Sequence, residues 1–108
     1  MRPALMEALT DVPTCRLDTP MSEVEDLIGD ASFVLAVDER DVVLGKVLAR
    51  SVDAAAGEGR ARDHLIEGPT TVRADEDLDA LTERMERADT SSVIVTTPEG
   101  RLLGLFVR

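Results

Sequence analysis

The sequence has no tryptophan and no tyrosine, and only two aromatic residues, Phe33 and Phe106. Grooves for single-stranded nucleic acid stack bases on flat side chains, so this composition argues against one. Lys46 is the only lysine, and 22 acidic residues outnumber 12 basic ones, for a net charge of −10. A surface of that sign is repelled by phosphate backbones and by anionic lipid. Neither nucleic acid nor a membrane is therefore expected as a partner. Cys15 is the single cysteine, so no intrachain disulfide can form and a reducing compartment is expected. No apolar run approaches the roughly 20 residues of a membrane span. The opening residues Met1-Arg2-Pro3-Ala4-Leu5-Met6-Glu7 lack an apolar signal core. These absences together lead to the expectation of a cytoplasmic protein. With one histidine, one cysteine and carboxylates in no partner pattern, no nucleophile–base pair is legible, and the chain is read as non-enzymatic.

What is present is aliphatic and repetitive. Apolar residues make up 44% of 108 positions, enough for one compact domain built on Val, Leu, Ile, Ala and Met. Thr14-Cys15-Arg16-Leu17-Asp18 aligns with Thr71-Val72-Arg73-Ala74-Asp75, an offset of 57 residues (18 to 75). Three of the five positions are identical and the other two pair apolar residues. Val43-Leu44-Gly45 aligns with Leu102-Leu103-Gly104 at an offset of 59 (45 to 104). The extra two residues must lie between these blocks, and the helical segment of the second copy is the expected place. Internal repeats at such periods define the architecture and take precedence over other signals.

Each copy begins with a short extended segment, 14–17 or 71–74, ending at an aspartate placed to cap a helix. Met21, Val24, Leu27 and Ile28 then form one apolar stripe, and Leu78, Leu81 and Met85 form its counterpart. Pro20, Glu76 and Asp77 suit first helical turns. Two β-branched runs follow in each copy, 33–37 with 42–47 and 92–96 with 101–107, joined by turn-rich connections at 38–41 and 97–100. Residues 48–56 read as a closing helix of the first copy, stopped by Gly57-Glu58-Gly59. The chain stops at Arg108 before any such helix in the second. Ala61-Arg62-Asp63-His64-Leu65-Ile66 reads as a turn leading into the second copy, with Ala4–Leu9 as its counterpart.

Strand, helix, hairpin and helix given twice resemble a tandem pair of cystathionine-β-synthase (CBS) domains, a Bateman module. Pro13-Thr14-Cys15-Arg16-Leu17-Asp18 and Pro69-Thr70-Thr71-Val72-Arg73-Ala74-Asp75 carry the likeness. Leu35-Ala36-Val37-Asp38, Arg62-Asp63-His64-Leu65 and Gly100-Arg101-Leu102-Leu103-Gly104-Leu105 carry it further. The resemblance implies a single α/β (α+β) module over 1–108. Its two β-α-β-β-α units, 3–57 and 60–108, are related by a pseudo-twofold, and the second lacks its last helix. It further implies a homodimer, a regulatory role without catalysis, and an adenosine ligand (AMP, ADP, ATP or S-adenosylmethionine) in the cleft between the copies. Nucleotide-binding members carry a Ser or Thr after the last strand's glycine and, three residues on, an Asp for the ribose hydroxyls. Here those positions are Leu48 and Ser51 in the first copy. In the second, Val107 takes the first position and the other falls past the chain end. The family's remaining contact, a polar residue before the first strand, is Thr14, and Thr70 or Thr71. A docking or dimerisation module without a ligand is the alternative reading.

Arg16 and Arg73 occupy equivalent places, where they could reach an anionic ligand or simply face solvent. Thr14, Arg16, Ser51, Thr70, Thr71 and Arg73 are thus the candidate ligand contacts. Cys15, whose counterpart is Val72, reads as a buried strand residue. His64 reads as a surface residue of the linker turn. The acidic clusters Glu23/Glu25/Asp26 and Asp75/Glu76/Asp77/Asp79 read as helix-start chemistry rather than as metal ligands, since they show no binding-loop spacing.

Overall fold

In the computed structural model, residues 5–68 and 71–108 are described, Met6 and Glu7 by backbone alone. A 3₁₀ turn over Leu5–Ala8 leads into β1 (Leu9–Thr10). Then come β2 (Thr14–Cys15), α1 (Met21–Ile28), β3 (Phe33–Val37), β4 (Val43–Leu48) and α2 (Ala49–Ala55). A second 3₁₀ turn, Ala61–His64, precedes β5 (Ile66–Glu67). The chain closes with β6 (Thr71–Arg73), α3 (Leu78–Arg87), β7 (Ser92–Thr96) and β8 (Leu102–Val107). The fold is α+β, as expected, and the repeat is visible element by element.

The described residues form two compact units, one over 12–68 and one joining 5–11 to 71–108. These units differ from the blocks 3–57 and 60–108 taken in sequence order. The difference arises from the two lead-in segments. In the 12–68 unit the sheet order is β2-β3-β4-β5, with β2 parallel to β3 and the other pairs antiparallel. The short strand β5, which precedes the second repeat, completes the sheet of the first. In the other unit the order is β1-β8-β7-β6, with β6 parallel to β7. There β1, which precedes the first repeat, completes the sheet of the second. Each hairpin's outer strand thus gains a pairing partner and is not left as a bare edge.

Two glycines permit this exchange. A Cβ on Gly45 would lie 2.6 Å from the Ile66 carbonyl oxygen and 2.7 Å from Leu65 Cγ. A Cβ on Gly104 would lie 3.0 Å from both Leu9 Cβ and the Thr10 carbonyl oxygen. The glycine of each hairpin is needed because a neighbouring backbone passes over it.

Burial follows the expected periods. Met21, Val24 and Ile28 of α1 pack with Cys15, Val34, Ala36, Val47, Val52 and Ala61 in the core of the 12–68 unit. Leu27, one step off that face, is 42% exposed and is not part of the stripe. Leu81 and Met85 of α3 pack with Leu5, Val93, Val95 and Phe106 in the other unit. Helix α1 has 8 residues and α3 has 10, which places the two-residue insertion inside the helix.

The expected caps are corrected. Helix α1 starts from Pro20 with no side-chain cap. Asp18 instead forms an ion pair with Arg62, and its carbonyl oxygen accepts from the Arg60 guanidinium, which ties the lead-in turn to the first repeat. In α3 the cap is Asp77, not Asp75: its carboxylate accepts from the Ala80 N–H at 3.3 Å. In both repeats the strand ends three or more residues before the helix begins, leaving the shared aspartate in the connecting turn.

Candidate functional site

The two repeats use the same hairpin turn with different side chains. In the first, the Asp38 N–H donates to the Val42 carbonyl (3.1 Å) and the Asp41 N–H to the Asp38 carbonyl (3.0 Å). In the second, the Thr97 N–H donates to the Arg101 carbonyl and the Gly100 N–H to the Thr97 carbonyl, both at 2.9 Å. Asp41 and Gly100 both have positive φ, at 65° and 89°. The turn requires that conformation, which costs Gly little and Asp more. The Asp38 carboxylate also accepts from the Arg40 N–H (2.8 Å) and the Val42 N–H (3.0 Å). Those bonds, Val42 first and Arg40 next, hold its pKa below the usual 3.8, and the charges of Arg40 and Arg16 act in the same direction. Thr97 replaces this carboxylate with a neutral hydroxyl, which accepts from the Arg101 N–H at 3.1 Å.

A cleft of about 500 Å³ lies within the 5–11/71–108 unit, at the C-terminal ends of the parallel strands β6 and β7. Strand β6 supplies Thr71, Val72 and Arg73, the start of α3 and its preceding turn supply Glu76, and the middle of the helix supplies Arg84. Thr96, Thr97, Pro98 and Gly100 close it from the hairpin. Arg84 and Glu76 pair at 2.6 Å. Thr96 is 3% exposed, yet it lines this opening. In parallel α/β units, ligands bind outside the carboxyl ends of strands, where the chain turns into a helix.

The structure thus brings two sequence-predicted residues, Thr71 and Arg73, to one cleft, with Arg73 exposed. Thr14 is exposed at the start of β2, and its neighbour Arg16 is exposed just past that strand, where its N–H donates to Thr19 Oγ1 (2.9 Å). Ser51 is half-buried in the first turn of α2. Thr70 lies outside the described residues. Sequence reasoning missed Glu76, Arg84, Thr96 and Thr97 as cleft residues. Comparing turn residues across the repeat, Asp38 against Thr97, was the signal that could have found Thr97.

Cys15 is buried, and desolvation, helped by the Glu23 charge, pushes its thiol up to about 11. Such a thiol is inert at neutral pH, consistent with a packing role. Among the described residues no group of His, Cys, Asp and Glu side chains is arranged to hold a metal. No helix among them is long and apolar enough to cross a membrane.

Residues 61–108 match the CBS domain family. No curated protein sequence matches the chain. Among solved structures, the CBS domains of a transcriptional regulator from Streptococcus pneumoniae are similar, with a TM-score of 0.80 at 17% identity, covering 100% of this chain and 95% of that one. A CBS domain pair in complex with 5′-methylthioadenosine and S-adenosyl-L-methionine gives 0.75 at 17% identity, covering 97% and 89%. The cytosolic domain of the Mg²⁺ channel MgtE, in complex with ATP, gives 0.75 at 21% identity, covering 89% of this chain. The chain spans only 42% of that MgtE chain. The family match to the second copy, the internal repeat and the shared fold agree: residues 61–108 match the CBS domain family, and the chain as a whole has the fold of a CBS-domain pair.

Proposed function

We propose that this chain is a regulatory module that senses an adenosine-containing ligand: AMP, ADP, ATP or S-adenosylmethionine. The observation that carries this reading is the CBS-pair fold, shared with structures solved holding ATP and holding 5′-methylthioadenosine with S-adenosylmethionine. Thr14, Ser51, Thr70 and Thr71 are the proposed polar contacts, and Arg16 and Arg73 the cationic ones. Ser51 stands where nucleotide-binding relatives place a ribose-binding Asp. A single hydroxyl gives one neutral contact where a carboxylate accepts from two adjacent hydroxyls. The affinity is accordingly expected to be modest. The module works as a homodimer in the cytoplasm and does no chemistry of its own.

Thermal unfolding with each of the four ligands tests this. A ligand at about 100 times its Kd stabilises the folded chain by about 2.7 kcal/mol. Ser51→Asp should tighten binding about tenfold. No shift with any of them at millimolar concentration, in either the native chain or Ser51→Asp, would overturn the reading.

The replacement of the Ser/Thr and Asp pattern by Leu48 and Ser51 favours a second reading, a ligand-free docking or dimerisation module. It predicts a dimer by light scattering whose dissociation is unaffected by adenosine compounds. A ligand-dependent change in that dissociation would sink it.

A further inference from the structure

The repeat makes each copy a chemical control for the other. Arg16 and Arg73 hold equivalent positions in the repeat, Arg16 just past β2 and Arg73 at the end of β6. In the first copy the arginine acts on a carboxylate at the hairpin turn, Asp38, which also takes two backbone N–H bonds. In the second copy that turn position is Thr97. The second copy thus has no carboxylate at the place of Asp38, and among the described residues neither Arg16 nor Arg73 forms an ion pair.

The cleft in front of Arg73 compounds this asymmetry. It contains a second guanidinium, Arg84, and one carboxylate, Glu76, which are paired with each other. The lining carries a formal charge of +1 (two arginines, one glutamate) on a chain whose net charge is −10. Three threonines, Thr71, Thr96 and Thr97, line the same space. The Thr97 oxygen already accepts from the Arg101 N–H, so its proton is free to be donated outward. A fork of guanidinium donors beside convergent hydroxyls is the donor set that a phosphate-type oxyanion takes.

We propose that this cleft binds the phosphoryl group of a small phosphorylated molecule, with Arg73 as the principal contact, Thr96 and Thr97 as hydroxyl donors, and Arg84 adding charge. In the first copy the matching turn position is Asp38, whose negative charge opposes an oxyanion there. The proposal needs residues of one unit only; it shares Thr71 and Arg73 with the adenosine reading and is told apart from it by Thr96 and Thr97.

Titration of the ¹⁵N-labelled chain with inorganic phosphate at fixed ionic strength tests it. Saturable amide shifts are expected at 71–73 and 96–101. Arg73→Gln should weaken binding about tenfold or more, the usual loss for a charge-assisted contact. Thr97→Asp, which installs the first copy's turn residue and so preserves the turn, should do the same. Arg40→Gln, at an exposed arginine of the first copy's hairpin turn, should leave binding unchanged. Adenosine without phosphate should not move the signals at 96–101, and AMP should. Equal shifts with matched chloride, wild-type affinity in both Arg73→Gln and Thr97→Asp, or equal shifts at 96–101 with adenosine would each overturn the proposal. Failure of adenosine-ligand binding elsewhere would leave it standing.

Discussion

Gly45 in β4 lies beneath the backbone of Ile66 in β5, so close that a Cβ at Gly45 would meet the Ile66 carbonyl oxygen at 2.6 Å. That contact is how a segment preceding the second repeat becomes the fourth strand of the first repeat's sheet.

Gly45→Ala should therefore separate β5 from β4. The obstructing atom is backbone, which cannot rotate away, so the cost is that of overpacking, about 1–3 kcal/mol. Gly104→Ala, whose nearest contacts are at 3.0 Å, should cost less. Urea unfolding of both variants measures this. A Gly45→Ala stability within 0.5 kcal/mol of the parent would contradict the exchange of lead-in strands.

Asp77 and Asp75 make a second test. Asp77 caps α3 by accepting from the Ala80 N–H. Asp77→Ala should cost about 1 kcal/mol, typical of a lost N-cap. Asp75→Ala, in the turn before the helix, should fall within about 0.5 kcal/mol of the parent, as exposed sites usually do. The opposite order in denaturation would restore Asp75 as the cap.

Cys15 predicts an alkaline limb. Its thiol, ordinarily at 9.0, is raised to about 11 in the folded chain by desolvation. Above pH 9 the unfolded chain loses this proton while the folded chain keeps it. Stability contributed by the neutral thiol is thus full below pH 9 and declines as pH rises toward 11. Cys15→Val, matching Val72 of the other repeat, should flatten that decline at little cost near pH 7. An unchanged slope would show that another group is responsible. Thiol reagents at pH 8 should react with the folded chain only as fast as it opens.

Asp38 predicts the complementary acid limb. Its carboxyl is held below 3.8 chiefly by the Val42 and Arg40 N–H groups. The unfolded chain takes up the proton first as pH falls, so this contribution is present above about pH 4 and is lost on acidification through the folded pKa. Asp38→Ala should reduce stability at pH 7 and shrink the difference between pH 7 and pH 3. A carboxyl titration midpoint at or above 3.8, read by NMR, would refute the hydrogen-bonded turn.

How much of this was legible in advance follows from which interactions are local. Strand and helix types, the hairpins and the two-residue insertion could be read from apolar period and turn chemistry, because these are fixed within a few residues. Leu27 could not be excluded from the stripe by spacing alone, since a three- or four-residue step fits either side of a helical face. The caps were misplaced because an aspartate near a helix start has several local options. Which one wins depends on a distant arginine, Arg62, in one copy, and on where the turn ends in the other. The cleft beside Arg73 needed the hairpin turn to meet β6 and α3, a meeting of segments some 25 residues apart (73 to 97).

The sequence by itself determined the duplication and the alternation of elements. These rest on side-chain periodicity and on glycines whose positions repeat. Tertiary structure alone decided that each lead-in strand completes the sheet of the other repeat, and that Arg73 shares a cleft with Arg84, Thr96 and Thr97. Both outcomes depend on backbone and charges brought together across long stretches of chain, where pairing geometry, not local preference, selects the partner.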